Sequence, residues 1–336
     1  MKYRVALVDY DEDLFSPQGW EGEVLAKAGA EWVVGQNRTP EAVLAAARGA
    51  DVVMVQSVRR LLTREIIEQL EGCRGIIRVG IGYDTVDQAA CTERAMALCN
   101  VPEYCVHEVA DHAIALLLAS VRHLARQDRW IRAGRWDRTG AKPAHRLFGQ
   151  TLGLVGFGRV ARSLVEKVRG MGWRIIAFDP FLPESAFANL GVRPVSLDEL
   201  LMCSDMISVQ APLTEGTRHL LGEREFGLMK PGVVIVNTSR GPLIDEVALV
   251  EALRSGKVSA AGLDVFESEP LSPGSPLLQM DNVTLTPHVA GYAEEAVGDM
   301  YRSACQTAKD LLAGVWPTTA VNPVVKEAWL AKWSKG

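Results

Sequence analysis

The chain has 336 residues, 48% of them apolar and 23% charged, with a formal net charge of −5. That length exceeds what one hydrophobic core usually serves and points to two domains, and the interspersed acidic and basic residues exclude nucleic acid as the expected partner. The longest apolar run, AIALLLASV at 113–121, is too short to span a bilayer, and MKYRVALVDYDED lacks the order of a signal peptide, so a cytoplasmic protein without a membrane partner is expected. Six cysteines scattered without a CxxC pair read as free, packed thiols, with no metal site.

In chain order, the spacing predicts strands at YRVALVDY, EWVVG, DVVMVQS and GIIRVG, alternating with helices near EGEVLAKAG, PEAVLAAARG and TREIIEQLEG. This is the pattern of a parallel α/β domain. EYCVHEVADHAIALLLASVRHLA, residues 103–125, predicts one long helix leaving that domain, and the polar RQDRWIRAGRWDRTGAKPAHRLFGQ reads as a connector. The alternation restarts at Thr151. Strands are predicted at TLGLVGF, RIIAFD, DMISVQA, GVVIVNTS, AAGLDV and VTLTPH, a set of six that suits a dinucleotide-binding sheet. The helix AEEAVGDMYRSACQTAKDLLAG lies beyond that sheet and is expected to return to the first domain.

GLVGFGRVA carries the most informative local signal. Gly156 lets the chain turn sharply out of a strand, and Gly158 leaves no side chain between backbone and a pyrophosphate. The helix starting near Phe157, Gly158, Arg159 and Val160 then offers free backbone N–H groups to that anion. Ala161 stands where the third glycine usually does, a position that needs only a small residue. Asp179, at the tip of the next strand, is placed to accept from an adenosine ribose 2′-OH. Its charge repels a 2′-phosphate and PFLPE contains no arginine to receive one, so NAD is expected rather than NADP.

The expected architecture is α/β with two Rossmann-like, doubly wound parallel-sheet domains. A discontinuous substrate-binding domain takes 1–102 and 293–336, and an inserted NAD-binding domain takes 103–292.

Three later strand ends carry candidate chemistry. VNTSRGPLID places Arg240 in a turn after a strand, where its planar fork can bind a carboxylate or polarise a carbonyl. AAGLDVFESEP carries Asp264, Glu267 and Glu269, and LTPHVAGY carries His288. A histidine beside a carboxylate favours its charged form and one tautomer, which suits a group that gives a proton to a developing alkoxide.

Together GFGRVA with Asp179, NTSRG, GLDVFESEP and TPHVAG resemble, in that order and over nearly the whole chain, the D-isomer-specific 2-hydroxyacid dehydrogenases. The resemblance implies that Arg240 binds and polarises a 2-oxo acid, that Glu269 supports the histidine, and that His288 is the acid/base. It implies that Asp264 accepts from the nicotinamide carboxamide beside Thr238, that Pro212 and Thr217 line the adenine side, and that Gly291 lies with the cofactor-binding residues. RVGIGYDTVD resembles the substrate loop, whose N–H groups near Val79 and Gly80 would hold the substrate carboxylate. Glu269 weighs against the formate dehydrogenase branch, which has glutamine there.

CNVPEYCVHEVADHA and IGYDTVD look most like the branch that includes the C-terminal binding proteins, NAD-sensing corepressors, although those carry a tryptophan where this chain has Gly291. Two classes therefore stand: an NAD-dependent reductase of 2-oxo acids, expected as a homodimer, and an NAD(H)-sensing binding protein with incidental turnover. Arg59 and Arg60, in VQSVRRLLT, are candidates to receive a second anionic group of the substrate. His107 and His112 in HEVADH are five apart, about 140° around a helix, which argues against a metal site. Trp130 and Trp136 in RWIRAGRWDR read as a domain or subunit contact.

Overall fold

In the computed structural model, which describes residues 2–334, the first strand β1 (Tyr3–Leu7) is followed by α1 (Glu21–Lys27), β2 (Ala30–Val34) and α2 (Pro40–Ala47). Helix α2 starts where the sequence signals it: the Thr39 hydroxyl accepts from Ala42 N–H, and Pro40 occupies the first turn, where no N–H is needed. Then come β3 (Val52–Val55), α3 (Arg64–Ile67), β4 (Gly75–Arg78), α4 (Gln88–Glu93) and β5 (Ala97–Cys99). The five strands pair in parallel in the order β2-β1-β3-β4-β5. β3 and β4 are buried along their whole length, which is why they read as continuous apolar runs. Helix α4 and the three-residue β5 are too short to show a period and were not expected.

The chain then enters a second compact unit, Val106–Gly291; the first comprises Met1–Cys105 and Tyr292–Gly336. The single helix expected over 103–125 is two, α5 (Val106–Val121) and α6 (Leu124–Arg132). His123 breaks it. Its backbone is left-handed, with φ 52°, and its Nε2 lies 2.6 Å from the Pro143 carbonyl oxygen. The expected connector is thus partly helical. α6 buries no residue and is supported by pairs such as Arg132 with Asp128, so it has no apolar stripe to announce it.

β6 (Thr151–Val155), α7 (Arg159–Val168), β7 (Arg174–Phe178), α8 (Glu184–Ala188), β8 (Arg193–Pro194), α9 (Leu197–Cys203), β9 (Met206–Val209), α10 (Glu223–Leu228), β10 (Val233–Asn237), α11 (Glu246–Arg254), β11 (Val258–Leu263) and β12 (Val283–Leu285) follow. The sheet is parallel, in the order β12-β11-β10-β9-β6-β7-β8. The six expected strands are present, and β8 adds a two-residue seventh. Because the order reverses between β6 and β9, their carboxyl ends diverge into a crevice, the usual ligand position in such sheets. Two apolar layers enclose the sheet, one of them containing Leu116 and Leu117 of α5 against Val234, Val236 and Ala260.

After Gly291 the chain rejoins the first unit through α12 (Glu294–Ala313) and α13 (Lys326–Trp333). Tyr301 is fully buried and donates to the Phe15 carbonyl at 2.8 Å, and buried Trp329 donates to the Arg74 carbonyl at 2.6 Å. These contacts tie the last forty residues to the first hundred. Among the described residues, no helix is long and apolar enough to cross a membrane.

Candidate active site

The glycine turn lies at the carboxyl end of β6, beside β9. Gly156 has φ 93°, and a Cβ there would stand 2.7 Å from the Ala211 backbone nitrogen, so both conformation and space require glycine. A Cβ on Gly158 would meet nothing within 4 Å: the start of α7 is bare on that side, with Gly158 and Arg159 exposed and Val160 half-buried. This cradle at a helix N-terminus fits a pyrophosphate.

Phe157 behaves differently from the expectation that it contacts cofactor. Its ring is fully buried and stacked on Phe187 at 4.7 Å, and its N–H donates to Asp179 Oδ2 at 3.0 Å. The ring is spent on the core and the amide on the acid. The same carboxylate accepts from Phe181 N–H at 3.1 Å, so Asp179 is fixed against the glycine turn while remaining half-exposed, with lone pairs left for a ribose diol.

On the other side of the crevice, the turn after β9 ties itself together. Thr217 donates to the Pro212 carbonyl at 2.7 Å and accepts from Thr214 N–H at 2.8 Å. Thr238, just past β10, accepts from the Gln210 amide at 3.2 Å. Asn237 was not singled out from sequence, yet it shapes the next turn: its amide donates to the Arg240 carbonyl at 2.8 Å and its oxygen accepts from Ser239 N–H at 3.0 Å. Arg240 lies in that turn, one Nη donating to the Ser239 carbonyl at 2.8 Å.

His288 and Glu269 meet. Imidazole Nδ1 lies 2.7 Å from Glu269 Oε2, and Glu269 Oε1 accepts from Phe266 N–H at 3.0 Å. Burial pushes the Glu269 carboxyl up, but the hydrogen bond and charge of His288, the Phe266 N–H and the Arg240 charge outweigh it and hold the group below its usual value. Since an ionised carboxylate only accepts, Nδ1 carries a hydrogen, and proton exchange is left to Nε2, which makes no hydrogen bond among the described residues. The two side chains are about a quarter exposed.

The backbone of His288 is left-handed, φ 56°, a conformation costing about 1–2 kcal/mol for a residue with a Cβ. Asp264 offsets that strain. Expected at a carboxamide, its carboxylate is instead 0% exposed and turned into the 286–290 loop. Oδ1 accepts from the Thr286 hydroxyl at 2.6 Å and Val289 N–H at 2.9 Å, Oδ2 from Ala290 N–H at 2.9 Å, and the Asp264 carbonyl from His288 N–H at 2.8 Å. Gly291 follows directly, half-exposed. The histidines read only for metal spacing turn out to be structural partners: His107 lies 3.0 Å from Ser163 Oγ, and His112 2.9 Å from Thr286 Oγ1.

In the first unit, the N–H groups of Val79 and Gly80 do not serve the role expected of them. Val79 donates to Val55 at 2.8 Å, continuing the strand ladder, and Gly80 donates to Arg78 at 2.9 Å, closing the turn. The next amides along the loop, Ile81 and Gly82, have no backbone partner among the described residues. Arg59 and Arg60 stand exposed after β3.

A glycine turn at a sheet's switch point, an acid at the tip of the next strand and a histidine–glutamate pair at later strand ends define a dinucleotide-binding α/β protein with an acid/base pair beside its crevice. The family model described as D-isomer specific 2-hydroxyacid dehydrogenase, NAD binding domain, matches residues 114–290. The chain belongs to that family, and its cofactor is NAD.

The chain is 37% identical over 312 residues to the D-3-phosphoglycerate dehydrogenase of Methanocaldococcus jannaschii, covering 92% of this chain and 59% of that protein. It is 42% identical over 248 residues to the hydroxypyruvate reductase of Thermotoga maritima, covering 73% and 79%. A glyoxylate reductase structure from Paecilomyes thermophila superimposes with a TM-score of 0.85 at 32% identity, covering 96% of this chain and 99% of that one. The chain spans only 54–59% of the length of the phosphoglycerate dehydrogenases it matches. These relatives are named dehydrogenases and reductases, and lend no support to a corepressor reading.

Proposed function

We propose that the chain is an NAD-dependent D-2-hydroxyacid dehydrogenase that runs as a reductase of a 2-oxo acid. When bound, NADH supplies the hydride that the carbonyl carbon receives. The chain's own residues supply the rest. Arg240 binds the acid and polarises its carbonyl, while His288 gives the proton from Nε2 to the carbonyl oxygen as negative charge develops there. Glu269 accepts from Nδ1–H throughout, which fixes the tautomer and stabilises the charged imidazole. Gly156, Gly158 and the first turn of α7 receive the pyrophosphate, Asp179 the ribose, the Pro212 and Thr217 turn the adenine side, and Thr238 and Gly291 the nicotinamide end. Asp264 supports the loop from beneath.

The single observation that carries this reading is the 2.7 Å contact between His288 and Glu269 on the strand ends of a dinucleotide-binding sheet. A panel of 2-oxo acids with NADH tests it. A reductase should reach turnovers of ~1 to 10³ per second on at least one acid; tight NADH binding with negligible turnover on every acid would favour a sensor instead.

The substrate, in this reading, carries a second anionic group, received by Arg59 or Arg60. The motive is two adjacent exposed guanidinium groups past β3, together with relatives named for a phosphorylated acid. A second copy of the chain is the expected partner. Leu124, Ile131, Trp136 and Phe148 are all exposed along one segment of the second unit, Trp136 by 85%. A sedimentation mass of one chain would remove the dimer.

A further inference from the structure

His112, on the second turn of α5, is one of the side chains that the proposed reaction does not use. α5 packs against β10, β11 and β12, and His112 lies at the side of its buried stripe, a quarter exposed. Its Nε2 is 2.9 Å from Thr286 Oγ1, across 174 residues of sequence.

The direction of that bond follows from its neighbour. Thr286 Oγ1 is 2.6 Å from Asp264 Oδ1, and a buried carboxylate only accepts, so the hydroxyl hydrogen points at Asp264. What remains on the hydroxyl oxygen is a lone pair, and His112 Nε2 must donate to it. His112 Nε2 also stands 3.5 Å from Asp264 Oδ1. The chain of contacts therefore runs from the helix through Thr286 to Asp264, and from Asp264 to the amides of Val289 and Ala290 and, through its carbonyl, to His288. Three consecutive N–H groups, beginning with that of the left-handed residue His288, hang from one buried aspartate whose own orientation depends on Thr286.

We propose that His112 is a positioning residue for the proton donor: its Nε2–H orients Thr286 and Asp264, and these hold the strained loop that carries His288. The inference rests on the reading of His288 as the acid of the reaction. It assigns the requirement to a donated hydrogen at the Nε2 position, not to the bulk of an imidazole. Gln at 112 can place an amide N–H near that point, and Leu cannot.

Two measurements on the 336-residue chain test this. His112→Leu should lower kcat about tenfold while leaving the KM values for NADH and 2-oxo acid within twofold, and Thr286→Val should match it. The double variant should be no worse than either single one, because both break the same chain. His112→Gln should recover most of the rate. Independently, hydrogen exchange of the Val289 and Ala290 amides should quicken at least tenfold in His112→Leu and return toward the wild-type rate in His112→Gln. Wild-type kcat and exchange in His112→Leu would overturn the proposal, as would a His112→Gln variant as impaired as His112→Leu. If the wild-type chain reduces no 2-oxo acid, the dehydrogenase reading fails by itself, and the exchange measurement still decides whether His112 holds the loop.

Discussion

At the carboxyl ends of β10, β11 and β12, polar side chains bond the loops in place: Asn237 to Arg240 within its own turn, Asp264 to residues 286–290 and Glu269 to His288 across to the next strand's loop. At the carboxyl ends of β1 and β3 the buried Asp9 carboxylate and Ser57 hydroxyl have no hydrogen-bond partner among the described residues, Arg38 Nε standing 3.8 Å from Asp9. Past them Arg59 and Arg60 are exposed. Groups that move protons must be held in place before a substrate arrives, and the second sheet's edge is built that way. Groups that choose among substrates need only the right charge within reach. Substitutions at the second unit's proposed site should therefore lower turnover of every acid alike, and those of Arg59 or Arg60 should change the ranking of acids.

The largest expected effect is that of His288→Ala, a loss of ~10²- to 10⁴-fold in kcat on every acid with NADH affinity unchanged, read by steady-state rates and fluorescence titration. Near wild-type turnover would move the proton donor elsewhere. Arg59→Ala or Arg60→Ala should sharpen the contrast from the other side. One of them should cost about ten- to a hundredfold in kcat/KM for a dianionic 2-oxo acid and little for an alkyl one. Uniform losses on both acids would erase the division of labour between the sheets. Asp179→Ala should narrow the NADH over NADPH preference about tenfold, since it removes both an acceptor for the ribose diol and a charge that repels phosphate; an unchanged kcat/KM ratio would refute the assignment.

Glu269→Gln should lower kcat less than His288→Ala does, because an amide oxygen can still accept from Nδ1–H. It should also change stability with a definite sign. The Glu269 carboxyl is held below its ordinary value of 4.5 in the fold, so its contribution is present above that pH and lost as pH falls through the lowered value. The wild type should exceed the variant by about 1–3 kcal/mol at neutral pH, and the gap should close below pH 4.5 in urea titrations. The smallest effect is expected in the first unit. Asp9→Asn removes a buried carboxylate without a hydrogen bond and should raise stability by about 1 kcal/mol, with no change in the ranking of acids.

The sequence by itself determined what depends on neighbours along the chain. Buried strands announce themselves as apolar runs, and the strand, glycine turn and helix at 151–168 follow from φ freedom at Gly156 and the missing side chain at Gly158. NTSRG, DVFESEP and TPHVAG likewise placed Arg240, Glu269 and His288 at strand ends. Tertiary structure decided everything that turns on a distant partner. Asp264 faces the 286–290 loop because Thr286, Val289 and Ala290 reach it from the end of β12. The amides of Val79 and Gly80 go to Val55 and Arg78, because a strand ladder and a tight turn claim them first. The helix from Val106 stops at Val121 because His123 turns left-handed and meets the Pro143 carbonyl. His112, whose spacing from His107 spoke only against a metal, finds Thr286 174 residues away. A hydrogen bond's strength depends on angstroms between its atoms, and sequence separation carries no information about those until the sheet has brought the strand ends together.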